Sequence, residues 1–299
     1  MVIDDFAVID YSYLITTRPY DIRRVVISDL HLSADEPALV QAFLAFLDDL
    51  IVLPNLNELY ILGDWFDAWV GDDFYLSLST IETKRHWLTP IINKLTQLST
   101  QGCQIKVMHG NRDFLIGQSF CDLFQGQLIT EPSLVTIGDK VFRFEHGDAL
   151  CTDDKSYQRF RAIIRNPLTK WMLLKRPLHK RIALAQKIRQ KSALDKTNKS
   201  MSIMDVNAGA VLKALKPVDA LLHGHTHRPA VHEIVTDQDA NKTKLRYVLG
   251  DWRVINPDSS YQQAEAVIAL SCLPEQSTNT ANSTSLEQKE SLQLVKFII

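Results

Sequence analysis

Short apolar runs rich in β-branched residues recur along the chain, and most of them end in a polar or glycine-containing turn. Val25-Val26-Ile27-Ser28 leads into Asp29, Leu59-Tyr60-Ile61-Leu62 into Gly63-Asp64, and Ile105-Lys106-Val107-Met108 into His109-Gly110-Asn111. Val141-Phe142-Arg143-Phe144-Glu145 leads into His146, and Ala220-Leu221-Leu222-His223 into Gly224-His225. Runs this short, bounded by Gly, Asp or Asn, read as buried strands. Between them the period lengthens. Glu36 to Leu50, apolar at Leu39, Val40, Phe43, Leu44 and Leu47, reads as a helix, and so does Ile81 to Leu98. Alternating strand and helix predicts an α/β domain. Ligands of such sheets gather at the carboxyl ends of strands, where every polar turn named above lies.

The alternation breaks between Ser156 and Lys199, where helical stretches interrupted at Pro167 and Pro177 sit between two strand signals. This reads as a helical cap inserted over the site, residues 155–204, within a single domain of residues 1–299. Residues 271–290 are rich in Ser, Thr, Asn and Gln and read as a flexible polar loop. Ala264 to Leu270 and Leu292 to Ile299 flank the loop and read as paired antiparallel strands.

The chain has 299 residues, 45% of them hydrophobic, which excludes disordered and collagen-like classes. A formal net charge of −2 argues against a generic nucleic-acid binder, and no nucleic-acid partner is expected. That average conceals a division. Residues 155–199 hold fourteen Lys and Arg against one acid, Asp195, a local balance of +13. Cys103, Cys121, Cys151 and Cys272 form no CxxC pair and read as reduced thiols of a cytosolic protein. Asp4, Asp5 and Asp10 without a basic region argue against a signal peptide, and no apolar stretch of about 18 residues marks a membrane span.

Five strand-end signatures carry the chemistry: Asp29-x-His31, Gly63-Asp64-x-x-Asp67, Gly110-Asn111-Arg112-Asp113, His146-Gly147-Asp148 and Gly224-His225-Thr226-His227. They supply two acids, an amide oxygen and four imidazoles, a mixed N/O set suited to Mn²⁺, Fe²⁺ or Zn²⁺ rather than Ca²⁺ or Mg²⁺. Seven donors exceed the needs of one ion and suit two ions sharing a bridging carboxylate. One Asp-x-His is a weak signal; five signatures at successive strand ends are a strong one.

In kind and order these blocks resemble the calcineurin-like metallophosphoesterases, marked by Asp-x-His, Gly-Asp-x-x-Asp, Gly-Asn-[His/Arg]-Asp, His and Gly-His-x-His. The resemblance covers roughly Arg24 to Arg253 and implies a metallophosphoesterase-type β-sandwich flanked by helices. Longer blocks narrow it: Ser28 to Leu32, Gly63 to Asp73, His109 to Leu115, His146 to Asp154, Ile203 to Asn207 and His223 to Glu233. With these it is similar to the members that cleave the diphosphate of a UDP-linked diacylated glucosamine lipid in lipid A biosynthesis.

The resemblance implies two Mn²⁺ per subunit, one held by Asp29, His31 and His227, the other by Asn111, His146 and His225, with Asp64 bridging. It implies attack of metal-activated water on the α-phosphorus, giving UMP and 2,3-diacylglucosamine 1-phosphate, with Asp64, Asn111, Arg112 and His225 as the catalytic groups. Substrate contacts are implied for Asn111, Arg112, Asp154, Ser192, Lys196, Lys199 and His225; at Lys196 the family pattern has Asn. It also implies peripheral attachment to the cytoplasmic face of the bacterial inner membrane.

Arg112 adds a physical argument. A phosphate monoester is a good leaving group and needs little general-acid help, whereas a guanidinium pairs with phosphate oxygens. Arg112 after Gly-Asn thus favours a diphosphate over a monoester. The cap carries Trp171, Met172, Leu173, Leu174, Leu178, Ile182, Leu184 and Ile188 among its cations. One reading is an apolar face covering the core beneath a solvated basic face. The other is a basic amphipathic cap fitted to an anionic lipid and an anionic membrane surface. His109 and His223 read as packed core residues; Asp67, Asp72, Asp73, Asp113 and Asp148 as groups that orient ligands or cap turns. His86, His179 and His232 read as surface or packing residues, and Trp65 and Trp69 as core or pocket wall. The rivals are another two-metal phosphodiesterase or nucleotide diphosphatase, and a metal-free scaffold that would have lost its ligands.

Overall fold

The computed structural model describes residues 9–198, 205–235, 243–256, 263–275 and 289–299. β1 (Ile9–Asp10) and α1 (Tyr11–Thr17) precede β2 (Ile22–Ile27), α2 (Pro37–Ile51) and β3 (Glu58–Leu62). α3 (Asp73–Leu76), α4 (Thr80–Arg85) and α5 (Leu88–Thr100) lead to β4 (Gln104–Met108). α6 (Gln118–Cys121), β5 (Gln127–Ile129), β6 (Ser133–Ile137) and β7 (Lys140–Glu145) follow. The basic segment then forms α7 (Lys155–Ile164), α8 (Pro167–Leu174) and α9 (Leu178–Asn198). α10 (Ala208–Leu215), β8 (Ala220–His223), β9 (Ala230–Val235), β10 (Thr243–Val248), β11 (Arg253–Val254), β12 (Ala264–Cys272) and β13 (Ser291–Ile298) complete the order.

The strands build two sheets. One runs β1-β13-β12-β2-β3-β4-β5, with β11 also on β12; the other runs β6-β7-β8-β10-β9. Side-chain alternation explains how they stack. Val25 and Ile27 of β2, Leu59 and Ile61 of β3, and Ile105 and Val107 of β4 join the core under α2 and α5. Their neighbours Val26, Tyr60, Leu62 and Met108 meet Phe142, Phe144, Ala220 and Leu222 of the second sheet. Leu221 points the other way, onto Val211 and Leu215 of α10. The fold is therefore an α/β sandwich, sheet against sheet with helices on both outer faces. Each fully buried Leu or Phe contributes ~1.5–3 kcal/mol relative to exposure.

β2, β3, β4 and β5 are parallel neighbours in one sheet, and β7, β8 and β10 in the other. Asp29, Asp64 and Asn111 follow the ends of β2, β3 and β4, while His146, His225 and Asp251 follow β7, β8 and β10.

Two expectations differ in detail. The helix expected over Ile81 to Leu98 is two, α4 and α5, broken at His86. Pro90 is the physical reason: proline lacks the N–H that a helix interior uses, so it fits only in a first turn, and a new helix starts at Leu88. The polar stretch expected over 271–290 loses its first residues to β12, which pairs with β13 through Cys272. Residues 276–288 lie outside the described residues. Near the N-terminus, β1 pairs with β13, and Tyr11 of α1 packs on Phe46 and Phe297.

In the basic segment Asn166 caps α8 by accepting from Leu168 N, with Pro167 at the first helical position. α9 is pinned by Arg181, only 4% exposed, which donates to Val70 O and to Asp73. α8 itself buries no residue, and Leu168, Trp171, Met172 and Leu174 stand exposed. Residues 199–204 lie outside the described residues.

Candidate metal centre

The sandwich brings the strand-end donors to one place. Asp29, His31 and His227 offer ligand atoms within 4.8 Å of one another, and so do Asp29, Asp64 and His146. Asp29 is common to both sets, and Asp64 faces a histidine of each, its Oδ2 4.0 Å from His31 Nδ1 and its Oδ1 3.7 Å from His146 Nε2. His227 Nε2 is 3.3 Å from Asp29 Oδ1, and Asn111 Oδ1 is 3.1 Å from His146 Nε2. The His225 ring stands 5.1 Å, centroid to centroid, from that of His146.

The backbone is bent to achieve this. Asp29, His31, Asp64, His225 and His227 all have φ between 50° and 68°. The left-handed region costs a residue with a side chain of order 1–3 kcal/mol, and such residues persist where surrounding bonds over-determine them. Here Asp29 Oδ2 accepts from Ser28 Oγ at 2.7 Å and from His225 N at 2.8 Å. Asp64 Oδ1 accepts from Arg112 N at 2.9 Å. Asp113 ties two loops by accepting from Gly110 N at 2.6 Å and Trp65 N at 2.8 Å. Gly110 must lack a side chain, since a Cβ there would come within 2.2 Å of Asp64 N and Oδ1.

The donor set draws positive charge. Burial opposes it, yet Asp64 and Asp29 hold the His146 imidazole up at about 9. Burial likewise opposes charge on His227, but its bonds to Asp251 and Asp29 raise it to about 10. Burial pushes His31 down to about 3 and His225 down to about 4, and pushes Asp64 up to about 7. Asp29 falls below the carboxylate range because the bond from His227 and the charges of neighbouring imidazoles outweigh burial. The His146 Nδ1 meets Leu62 O at 2.9 Å, which turns Nε2 into the site. Among the described residues His31 Nδ1 is buried with no hydrogen-bond partner. Lone-pair donors crowded this closely, with one orphaned nitrogen among them, fit divalent cations.

Arg112 flanks the centre, its Nη1 donating to Asp67 at 2.7 Å. Asp154 is 8% exposed and caps α7, accepting from Tyr157 N at 3.0 Å and Ser156 Oγ at 2.7 Å. Ser192 and Lys196 fall on the C-terminal half of α9, and Lys199 lies outside the described residues.

Sequence reasoning missed Asp251 and Glu131, and for Asp148 and Asp67 it missed the partners in the cap. Asp251 Oδ2 sits 3.5 Å from His227 Nδ1, at the end of a Leu245 to Leu249 run that closes in Gly250-Asp251 like the earlier strand ends. Glu131 accepts from His146 N at 2.9 Å and from Arg161 and Arg165 of α7 at 2.7 and 2.8 Å. Asp148 accepts from Tyr157 Oη, Arg161 Nε and Arg165 Nη2 at 2.6, 2.9 and 3.2 Å, so the first cap helix is bolted to the His146 loop. The Tyr157 ring stacks over His225 at 6.1 Å. Arg189 of α9 reaches Asp67 at 2.5 Å. No local pattern in the sequence announces the pairings of Glu131, Asp148 and Asp67 with the cap.

Residues 22–229 match the calcineurin-like phosphoesterase family. A protein of Pseudomonas putida named UDP-2,3-diacylglucosamine hydrolase is 42% identical over 230 residues, spanning 76% of this chain and 90% of its own. A protein of the same name from Pseudomonas entomophila gives the same identity and coverage. Another from Chromohalobacter salexigens is 40% identical over 231 residues, 77% of this chain and 88% of its own.

Proposed function

The chain belongs to the calcineurin-like phosphoesterase family, and from that premise we propose that it hydrolyses the diphosphate of UDP-2,3-diacylglucosamine in lipid A biosynthesis. The observation that carries the reading is the convergence of Asp29, His31, Asp64, His146 and His227 beside Arg112. Relatives that are 40–42% identical and bear that activity in their name support the substrate.

The centre fits two divalent ions, which we take to be Mn²⁺. Asp29, His31 and His227 would hold one, Asn111, His146 and His225 the other, and Asp64 both. When bound, such ions supply Lewis-acid activation of water and neutralise phosphoryl charge. The chain's own groups do the rest. Leu62 O and Asp251 fix the His146 and His227 rings through their Nδ1 atoms. Arg112, tethered to Asp67, presents its remaining donors to the phosphate oxygens. Water oxygen adds to the α-phosphorus, the bond from that phosphorus to the bridging oxygen breaks, and UMP and 2,3-diacylglucosamine 1-phosphate result. Asp154, Ser192, Lys196 and Lys199 would contact the substrate.

Among the described residues no helix is long and apolar enough to cross a membrane. The exposed apolar side chains of α8, set among cations, support peripheral docking of the cap on the anionic cytoplasmic face of the inner membrane. The test is purified protein with Mn²⁺ and UDP-2,3-diacylglucosamine. UMP and the monophosphate lipid are expected; turnover of bis-p-nitrophenyl phosphate with the UDP-lipid untouched would refute the substrate while sparing the family.

A further inference from the structure

His223 is fully buried at the end of β8 and is not among the candidate ligands. Its Nε2 accepts from Arg246 Nε of β10 at 3.0 Å. A guanidinium only donates, so Nε2 must be the bare nitrogen and Nδ1 the one that carries hydrogen. Nδ1 lies 2.8 Å from Gly224 O and donates to it. The N–H of the same peptide unit belongs to His225 and donates to Asp29 Oδ2 at 2.8 Å. One peptide plane is thus gripped at its oxygen by His223 and at its nitrogen by a candidate metal ligand. Immediately after it the chain turns left-handed, with φ 68° at His225.

The same imidazole braces a second ligand loop. Gly224 N donates to His146 O at 2.9 Å. Gly147 has φ 114°, and a Cβ on it would come within 2.8 Å of His223 Nδ1 and 3.1 Å of Gly224 O. The His146 loop therefore closes directly on the His223–Gly224 bond.

We propose that Arg246 and His223 are positioning residues for the metal centre: Arg246 sets the His223 tautomer, and His223 locks the Gly224–His225 peptide that aims His225. The proposal rests on the metal reading above. Its rival is that His223 merely fills the core, in which case the ring's shape matters and its donor does not.

Two side chains separate the cases. In His223→Asn the amide nitrogen can take the place of Nδ1 and keep the donor to Gly224. In His223→Gln the amide reaches the Nε2 position, keeping a partner for Arg246 and losing that donor. Mn²⁺ affinity is measured by chelator competition, alongside kcat and KM and the thermal midpoint. Removing an outer-shell partner typically costs 10–100-fold in metal affinity. We expect His223→Gln to lose at least tenfold in Mn²⁺ affinity and to lose kcat rather than KM, with His223→Asn at least fivefold tighter than His223→Gln. Equal affinities in the two variants would overturn the relay. So would a ring ¹⁵N spectrum of the wild-type protein showing hydrogen on Nε2 of His223, a readout that needs no variant to fold. A wild-type protein that bound no Mn²⁺ would overturn the metal reading itself, and the relay with it.

Discussion

Asp67 holds Arg112 by a 2.7 Å hydrogen bond to Nη1, while Arg112 Nε stands 3.8 Å from Asp64. Asp67 also receives Arg189 from the cap at 2.5 Å, so one carboxylate pairs with two guanidiniums, one after β4 and one on α9. This gives the second acid of the Gly-Asp-x-x-Asp block a mechanical purpose. It holds the guanidinium of Arg112 beside Asp64, the acid that faces both His31 and His146.

Arg112→Lys keeps the charge and loses the fork, and a lysine is not equivalent at a bidentate site. We expect a fall in kcat of about 10–100-fold for Arg112→Lys, and of about 10²–10³-fold for Arg112→Ala, the scale seen when a charge-stabilising donor is removed. The side chain is partly exposed, so thermal midpoints should hold. Steady-state kinetics on the UDP-lipid check this; a twofold change for Arg112→Ala would exclude a role in the reaction.

Asp251 is placed to fix the His227 ring through Nδ1. Asp251→Asn should weaken Mn²⁺ binding by about 10–100-fold, the usual cost of losing such a partner. Calorimetric titration measures it. Affinity within a factor of two of wild type would show that Asp251 does not orient this ligand.

Asp29, Asp64, Asn111 and His146 were legible because each ends a short apolar run, where sheet geometry makes a ligand face. Asp251 follows the same rule, but the run before it, Leu245 to Leu249, went unread as a strand. Charge direction was illegible for a different reason. Counting charges in residues 155–199 gives a balance of +13, yet Arg161, Arg165, Arg181 and Arg189 turn to Asp148, Glu131, Asp73 and Asp67. Those pairs join residues far apart in sequence, and only the folded chain shows them. The reading of an apolar face on the core beneath a solvated basic face is thus corrected for α8: arginines of the neighbouring helices join the cap to the core, and the apolar side chains of α8 face outward.

That lock is measurable. Asp148 is fully buried, and although burial would raise it, Arg165, His146 and Arg161 hold its carboxyl well below the usual range. Replacing both Arg161 and Arg165 with Met strips the buried carboxylate of its two guanidinium partners and leaves it Tyr157 Oη, and losing the partner of a buried pair typically costs about 3–5 kcal/mol. Urea unfolding should show that loss, and adding Asp148→Asn should recover part of it. A loss under about 1 kcal/mol, the scale of an exposed pair, would show the network to be solvated.

Far from the centre, Glu58 accepts from both Arg24 and Lys106. Burial raises its pKa, but those donors outweigh it and the carboxyl sits below its ordinary 4.5. A depressed folded pKa gives stability that is present above the unfolded value and lost as pH falls through the folded one. Glu58→Gln should therefore be less stable than wild type at pH 7, by about 1–3 kcal/mol for hydrogen bonds to a charged group. The gap should close below pH ~4.5. Urea midpoints across pH 3–7 check the sign; a gap that widened towards acid would reverse it.

The outward face of α8 makes the last prediction. Trp171 is 57% exposed and Leu168 62%, and α8 buries no residue, so these side chains contribute little to the fold. Burying each in a bilayer interface contributes up to ~1.5–3 kcal/mol, and each nearby Lys or Arg adds ~1 kcal/mol at an anionic surface. Wild-type protein should co-sediment with phosphatidylglycerol vesicles at low salt and be released at high salt, since surface charge is screened. Leu168→Ser combined with Trp171→Ser should weaken vesicle binding at least tenfold while leaving the thermal midpoint within about 1 °C, as expected for exposed positions. Undiminished sedimentation of the double variant would move the docking surface off α8, and no sedimentation of the wild type would remove it from the protein.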